Sequence, residues 1–261
     1  KKNNIKRHGG KTYRDEGANP WGGMSADIKR GIVYIGTGNP HAYYDGTRRP
    51  GKNQGSNSVI AIDLNHKKEL WSFQEVSHDL WNSDIASPPI LTTIKKDSKL
   101  IDVVVAPTKT GNTLILDRLS GKPIFEYRMR KAPVGKISGE KTSAYQPDLR
   151  LPMPFLDKSF NIEKIWFRDK NRKKQFLKKI DNFNFGFFEP HELGKKNIQI
   201  GGGASWPGAS INPDKNIMYV SSSRVTVATE VKKKIEKNKN LGPTYFSIQK
   251  RILDDDTYPI I

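Results

Sequence analysis

Apolar and polar positions alternate in short runs along this chain, and the clearest run lies in Trp21 to Pro40, WGGMSADIKRGIVYIGTGNP. Ile32, Val33, Tyr34 and Ile35 are β-branched or aromatic, bounded by Asp27–Gly31 before and Gly36–Pro40 after. This predicts a strand, a tight polar turn and a second strand. The pattern returns 185 residues later in WPGASINPDKNIMYVSSS, from Trp206 to Ser223. Trp21 matches Trp206, Gly23 matches Gly208, Ser25 matches Ser210, Asp27 matches Asn212, and Tyr34 matches Tyr219. A repeated unit of this kind predicts an architecture of like modules. The copies diverge at their ends, where Gly38–Asn39–Pro40 becomes Ser223–Arg224–Val225. The shared part therefore reads as structural, and the divergent end as the place for a site.

Two further hairpins follow the first copy. Val59–Ile62 predicts a strand, Asp63–Lys68 a turn, and Leu70, Trp71 and Phe73 the return strand. Within Val103–Phe125, the spacing Ile115–x–Asp117–x–x–Ser120–Gly121–x–x–x–Phe125 matches Ala61–x–Asp63–x–x–His66–Lys67–x–x–x–Trp71. In each, Asp closes the turn and a large aromatic is set to pack on a neighbouring unit. Sheets stacked in this way are what a β-propeller requires, so the expected fold is all-β. Between the hairpins, QEVSHDLWNSDIASPPIL places His78, Asp79, Trp81 and Asp84 in a loop, and His41–Ser56 reads as another long loop.

Residues 157–182 have a different period. Apolar residues at 162, 165, 166, 176, 177 and 180 among many lysines predict a short helical insertion. The expected organisation is therefore propeller blades over 1–156, a helical and loop insertion over 157–200, and a further truncated blade over 201–261. Residues 1–20 read as polar loop. The tail from 225 reads as mostly polar, with KKKIEKNKN exposed and no further hairpin completed.

The chain has 261 residues and a formal charge of +18, with 35% hydrophobic and 10% aromatic residues. The charge fits an anionic partner or simply a solvated, lysine-rich surface. No nucleic-acid-binding motif accompanies it, so nucleic acid is not an expected partner. There is no cysteine, which excludes disulfides, thiolate metal sites and a cysteine nucleophile. No run approaches a membrane span. Neither a signal peptide nor an initiator Met is visible, so the sequence reads as part of a longer one.

The segments NPWGGMSADIKRGIVYIGTGNP, NSVIAIDLNHKKELWSFQEVSHDLWNSD, APTKTGNTLILDRLSGKPIF, GEKTSAYQP, GGGASWPGASINPDKNIMYV and RILDDDTYP stand in one order over about residues 17–259. In that order they resemble the quinoprotein dehydrogenases that use pyrroloquinoline quinone (PQQ), of the eight-bladed propeller type, which implies a partial segment of an eight-bladed β-propeller. The sugar and polyol branch, typified by membrane glucose and quinate dehydrogenases, is the most similar. The resemblance implies oxidation of a sugar, polyol or alcohol hydroxyl by hydride transfer to metal-bound PQQ. It also implies Ca²⁺ or a lanthanide as metal, a periplasmic location, and a membrane quinone or a cytochrome as electron acceptor. Trp21 falls at the indole under the quinone, Asn39 at a metal-ligand amide, and Lys109 at the cation that contacts the quinone oxygens. Asn82 stands where the family's HDLWD carries its catalytic Asp. An amide has no basic lone pair at neutral pH. Asp84, two residues on, matches an acid that binds metal in lanthanide-dependent members and is the remaining candidate base. His66–Lys67 replaces the family's Thr–Gly, and Phe125 its Trp. The family's other metal carboxylate and several cofactor contacts come from earlier blades, so the resemblance implies that this segment alone is inactive. The alternative is a non-catalytic propeller that serves as an interaction scaffold.

Overall fold

The computed structural model describes residues 17–148, 150, 152–234, 244–252 and 257–259. Its first unit is an antiparallel meander of β1 (Met24–Asp27), β2 (Ile32–Gly36), β3 (Ser58–Asp63) and β4 (Lys68–Gln74), paired in sequence order. The second unit is β5 (Ile90–Lys96), β6 (Lys99–Pro107) and β7 (Thr113–Asp117). Its outer edge carries the bridge Leu116 to Pro123, closed by bonds from Asp117 N to Lys122 O and from Ile124 N to Ile115 O, both at 2.8 Å. The polar turns form as the sequence predicts. Asp63 Oδ1 accepts from the amides of Asn65 and His66, and Asp117 Oδ1 accepts from those of Leu119 and Ser120.

The two sheets share one core. Ile32, Tyr34, Val59 and Ala61 from the first meet Val104, Ala106, Leu114 and Leu116 from the second, with Ile85 from the segment between them. Each large side chain fully buried there contributes about 1.5–3 kcal/mol. Trp71 docks across the boundary as its spacing predicts, and its indole Nε1 donates to Arg118 O at 3.2 Å. Gly121, at φ +69°, lies under that ring, where an added Cβ would sit 2.5 Å from it. The matching Phe125 is held instead beneath Lys96 Nζ, 5.2 Å from the ring centre.

Beyond β8 (Arg128–Lys131) and β9 (Tyr145–Asp148), the predicted insertion is only partly helical. Ile162–Lys164 is a single 3₁₀ turn, and β10 (Ile165–Phe167) is a strand. Only Lys170–Ile180 forms an α-helix, α1. Asp169 explains the break, because it is extended at φ −154° and caps the Arg172 amide. The apolar positions thus belong to three elements, and the strand and the helix meet through Phe167 and Phe176, rings 5.4 Å apart.

The last sheet comprises β11 (Phe183–Phe185), β12 (Lys196–Asn212), β13 (Ile217–Lys234) and β14 (Thr244–Arg251), and β15 (Thr257–Pro259) pairs with β10. The tail is therefore not a polar loop. Val227–Lys234 pairs with Thr244–Arg251, which completes a hairpin, and Ala228, Val231 and Ile252 are buried. Ala228 and Val231 enter two different core clusters from opposite faces of β13, so no alternating apolar pattern marks the strand. The loop reading of residues 1–16 and the exposure of 235–240 lie outside the described residues.

Candidate functional site

Three backbone segments converge beside the boundary of the first two sheets: Ala18–Asn39, Glu75–Ser87 and Thr108–Gly111. The first is closed by short bonds, from Ala18 N to Asn39 O at 3.0 Å and from Gly38 N to Asn19 O at 3.1 Å. They bring Trp21 over Gly38. A Cβ on Gly38 would lie 2.7 Å from Asp84 Oδ1 and 2.8 Å from Trp21 Nε1. Only glycine lets the indole and the carboxylate approach so closely.

Asp84 is the centre of the cluster and is 5% exposed. Its Oδ1 accepts from Asn39 N at 2.8 Å, and its Oδ2 from Lys109 Nζ at 2.5 Å. Asn39 is 3% exposed. The structure therefore brings together four of the five predicted site residues: Trp21, Asn39, Asp84 and Lys109. The fifth, Asn82, sits on the adjoining turn at φ +58°, and its side chain is hydrogen-bonded to the Tyr44 hydroxyl. Burial pushes Tyr44 up to about 12, with bonds from Asn82 and Gln249 opposing.

The turn that carries Asn82 is organised by Asp79. Its carboxylate accepts from Trp81 N at 2.9 Å, Ser83 N at 2.7 Å and Asn57 Nδ2 at 3.0 Å. Burial pushes its pKa up, against those amide bonds. His78 is structural: Nδ1 bonds to Gly51 O at 2.8 Å, and burial pushes its pKa down to about 4.

Lys109 is gripped from three sides. Glu75 Oε1 accepts from Thr108 Oγ1 at 3.0 Å and Thr110 Oγ1 at 2.6 Å, one residue either side of the lysine. Glu75 is wholly buried, and burial pushes it up to about 7, against those bonds. Gly203, at φ +76°, packs on the Lys109 backbone, and Ala204 N donates to Thr108 O at 3.2 Å. Phe155 N donates to Gly111 O at 2.9 Å. Sequence reasoning missed Glu75 and both threonines, since no spacing pattern marks a buried carboxylate at a strand end.

The two copies of the Trp repeat meet here. Trp21 and Trp206 stand edge to face with ring centres 5.8 Å apart, 44% and 72% exposed. Gly23 and Gly208 both have positive φ, and both close on Ser87–Pro88. Asp27 and Asn212 each cap the amide three residues on, Arg30 and Lys215.

Asn39 and Asp84 are hard oxygen donors, the type that Ca²⁺ and lanthanides take. Among the described residues no group of three His, Cys, Asp or Glu could hold a metal. The chain thus fits such an ion as a supplier of part of its oxygen set. The cradle at Gly38, with a flat indole beside a cation, fits a planar anionic cofactor.

Comparison with known proteins accords with this arrangement. Residues 1–252 match the family described as PQQ: glucose/ethanol/alcohol dehydrogenase, beta-propeller domain. The glycerol dehydrogenase large subunit of Gluconobacter thailandicus is 32% identical over 228 residues, covering 82% of this chain and 30% of that protein. Quinoprotein glucose dehydrogenase A of Acinetobacter calcoaceticus is 31% identical over 224 residues, 81% of this chain and 28% of that protein. A europium-containing methanol dehydrogenase superposes with a TM-score of 0.52 at 19% identity, over 82% of this chain and 31% of its own, which speaks for the fold. The chain spans about three-tenths of the length of the curated relatives it matches. With two Trp repeats closing on a cation-paired carboxylate and a family match over nearly its whole length, the chain belongs to the β-propeller family of PQQ-dependent glucose, ethanol and alcohol dehydrogenases.

Proposed function

We propose that this chain forms the metal- and quinone-facing part of a dehydrogenase that oxidises a hydroxyl group of a sugar, polyol or alcohol. The observation that carries this reading is the convergence of Trp21, Asn39, Asp84 and Lys109 on one cradle. A scaffold gains nothing from a buried cation paired with a carboxylate beside an exposed indole. Asn39 and Asp84 would hold the Ca²⁺ or lanthanide, and Trp21 would lie against the flat face of PQQ. When bound, the quinone supplies the hydride acceptor. Lys109 Nζ, held by Asp84, offers positive charge to an electron-rich ring oxygen. Asn82 orients but takes no proton. Asp84 is the basic group closest to hand, and to accept the substrate proton its carboxylate must give up a bond to Lys109 or Asn39. A periplasmic location and delivery of electrons to a membrane quinone or a cytochrome belong to the same proposal. Among the described residues no helix is long and apolar enough to cross a membrane.

A second reading, a propeller that binds partners without turnover, is favoured by Asn82 and by the occupation of both Asp84 oxygens. The two are separated by reconstituting the full-length protein with PQQ and Ca²⁺, or PQQ and La³⁺, and following dye reduction over sugars, polyols and alcohols. Turnover with either metal supports the dehydrogenase. Tight cofactor binding without turnover identifies Asn82 as a lost base. Absence of cofactor binding leaves the scaffold.

A further inference from the structure

Asn82 has no lone pair to take a proton, and Asp84 is bound at both carboxylate oxygens, so it accepts one only by giving up a bond. Lys158 is under no such constraint. It lies in the wall of a cavity of about 330 Å³, with Arg130, Asp148, Asp157 and Phe187. It also lines a second, smaller space together with Trp81 and Ser83, the chain neighbours of Asn82. The rest of that space is formed by uncharged residues of Gly186–Phe188 and Ile198–Ile200. A bond from Phe155 N to Gly111 O at 2.9 Å ties the segment carrying Lys158 to the turn carrying Lys109.

Charged groups face Lys158 without bonding it. Lys109 repels its ammonium, and Glu75 and Asp79 attract it. Both carboxylates are engaged elsewhere: Asp79 by the Trp81 and Ser83 amides and Asn57, and Glu75 Oε1 by Thr108 and Thr110. Glu75 Oε2 is buried with no partner. In the larger cavity, Asp148 pairs with Arg150 and Asp157 with Lys164, while Arg130 is exposed and lies over the Phe187 and Phe188 rings. Among the described residues no hydrogen bond or ion pair reaches Lys158 Nζ. An ammonium so placed loses hydration and gains no bond, which favours the neutral amine. Burial, with Lys109 adding to it, pushes Lys158 down to about 8, against Glu75 and Asp79. At pH 7 about a tenth of it carries a free lone pair, and above pH 8 most does.

We propose that Lys158 Nζ takes the proton of the substrate hydroxyl, the role that Asn82 cannot fill. This rests on the dehydrogenase reading. The O–H bond breaks, its proton going to the Nζ lone pair. The O–H electron pair becomes the second C–O bond, and the hydrogen on carbon leaves as hydride to the quinone. Glu75 and Asp79 then face the new ammonium, which releases its proton to solvent through the larger cavity. Because the amine is mostly protonated at neutral pH, a carboxylate at position 82 would outdo it there.

The test uses the full-length protein. Without cofactor, labelling of Lys158 by acetic anhydride across the pH range, read by peptide mass spectrometry, should have its midpoint near 8, against the ordinary lysine value of 10.5. A midpoint close to the ordinary value, or a Lys158 that stays unlabelled, overturns the proposal whatever the turnover. After reconstitution with PQQ and Ca²⁺ or La³⁺, kcat/KM for glycerol or glucose in dye reduction should rise with pH to a plateau above about 8. Lys158→Gln should lower kcat roughly a hundredfold or more and remove that rise. Adding Asn82→Asp to Lys158→Gln should restore turnover and move the rise into the carboxylate range; failure of that rescue overturns the proposal. Lys158→Arg should be as inactive as Lys158→Gln, since a guanidinium stays protonated. An active Lys158→Arg means that only the charge matters and overturns the proposal. Turnover unchanged in Lys158→Gln, or gained only through Asn82→Asp, overturns Lys158 as the acceptor while upholding the dehydrogenase. No turnover in wild type or in Asn82→Asp, despite the low midpoint, refutes the dehydrogenase reading itself.

Discussion

Glu75 gives the sharpest test of how the fold holds the site. It is wholly buried, and its Oε1 takes both threonine hydroxyls that flank Lys109. Burial raises its pKa from the ordinary glutamate value of 4.5 to about 7. The folded-state pKa therefore lies above the unfolded one. The neutral acid's contribution is fully present below pH 4.5 and is lost as pH rises through 7. At about 1.4 kcal/mol per pH unit, that gap is worth about 3 kcal/mol. Glu75→Gln keeps an oxygen for Thr108 and Thr110 but cannot ionise. Any cost of burying the amide is independent of pH, so it shifts the whole stability curve without changing its slope. Thermal melts of the full-length protein and the variant, from pH 4.5 to 8.5, isolate the effect because every other group titrates in both. At roughly 2 °C per kcal/mol for a large domain, wild type should lose about 6 °C relative to Glu75→Gln across this range. Parallel curves would refute the argument, because Glu75 would then be as easily ionised in the folded protein as in the unfolded chain.

Other substitutions probe the cradle and the blade boundary. Asn82→Asp supplies the missing base, and kcat of the PQQ-reconstituted full-length protein should rise by about 10²–10⁴-fold; an unchanged kcat means that proton removal does not limit it. Gly38→Ala puts a methyl 2.7 Å from Asp84 Oδ1 and 2.8 Å from Trp21 Nε1, and should weaken PQQ binding at least tenfold in a fluorescence titration of the full-length protein. Retained affinity would mean that the indole and carboxylate can separate without consequence. Gly121→Ala places a methyl 2.5 Å from the Trp71 ring at a backbone φ of +69°, and should cost about 1–3 kcal/mol in denaturant unfolding; a neutral result would show that Trp71 docking tolerates a shift.

Much of the fold was legible because turns and strand periods are local signals. The Asp63 and Asp117 turns and the Trp71 dock follow from residue type and spacing within about ten positions. The failures share a cause too. Asp169 splits one apparent helical period into a strand and a shorter helix, and its capping geometry is invisible to a pattern of apolar positions. In the tail, Ala228 and Val231 are buried on opposite faces of β13, so no alternating apolar pattern betrays the strand. Within the site, Trp21, Asn39, Asp84 and Lys109 were legible through motifs. Glu75 was not, because what distinguishes it is long-range: burial, and the threonine hydroxyls that converge on it.

The repeat is the case where sequence and structure explain each other. Two Trp–x–Gly–x–Ser–x–Asp/Asn units 185 residues apart do more than recur. Their glycines press on the same Ser87–Pro88 step, and their indoles touch edge to face. Ser87 lies three residues beyond Asp84, so both repeats brace the loop that carries the carboxylate. Where the copies diverge, their roles part. Ser223–Val225 continues as a strand paired with Gly201–Gly203, which in turn presses on Lys109. Gly38–Asn39–Pro40 leaves its sheet and turns its amide to Asp84. One copy therefore supports the cation of the pair and the other the carboxylate. A loss of either contact should displace Lys109 and Asp84 relative to one another rather than unfold the sheets, because neither residue belongs to the shared core of Tyr34, Val104 and Leu116.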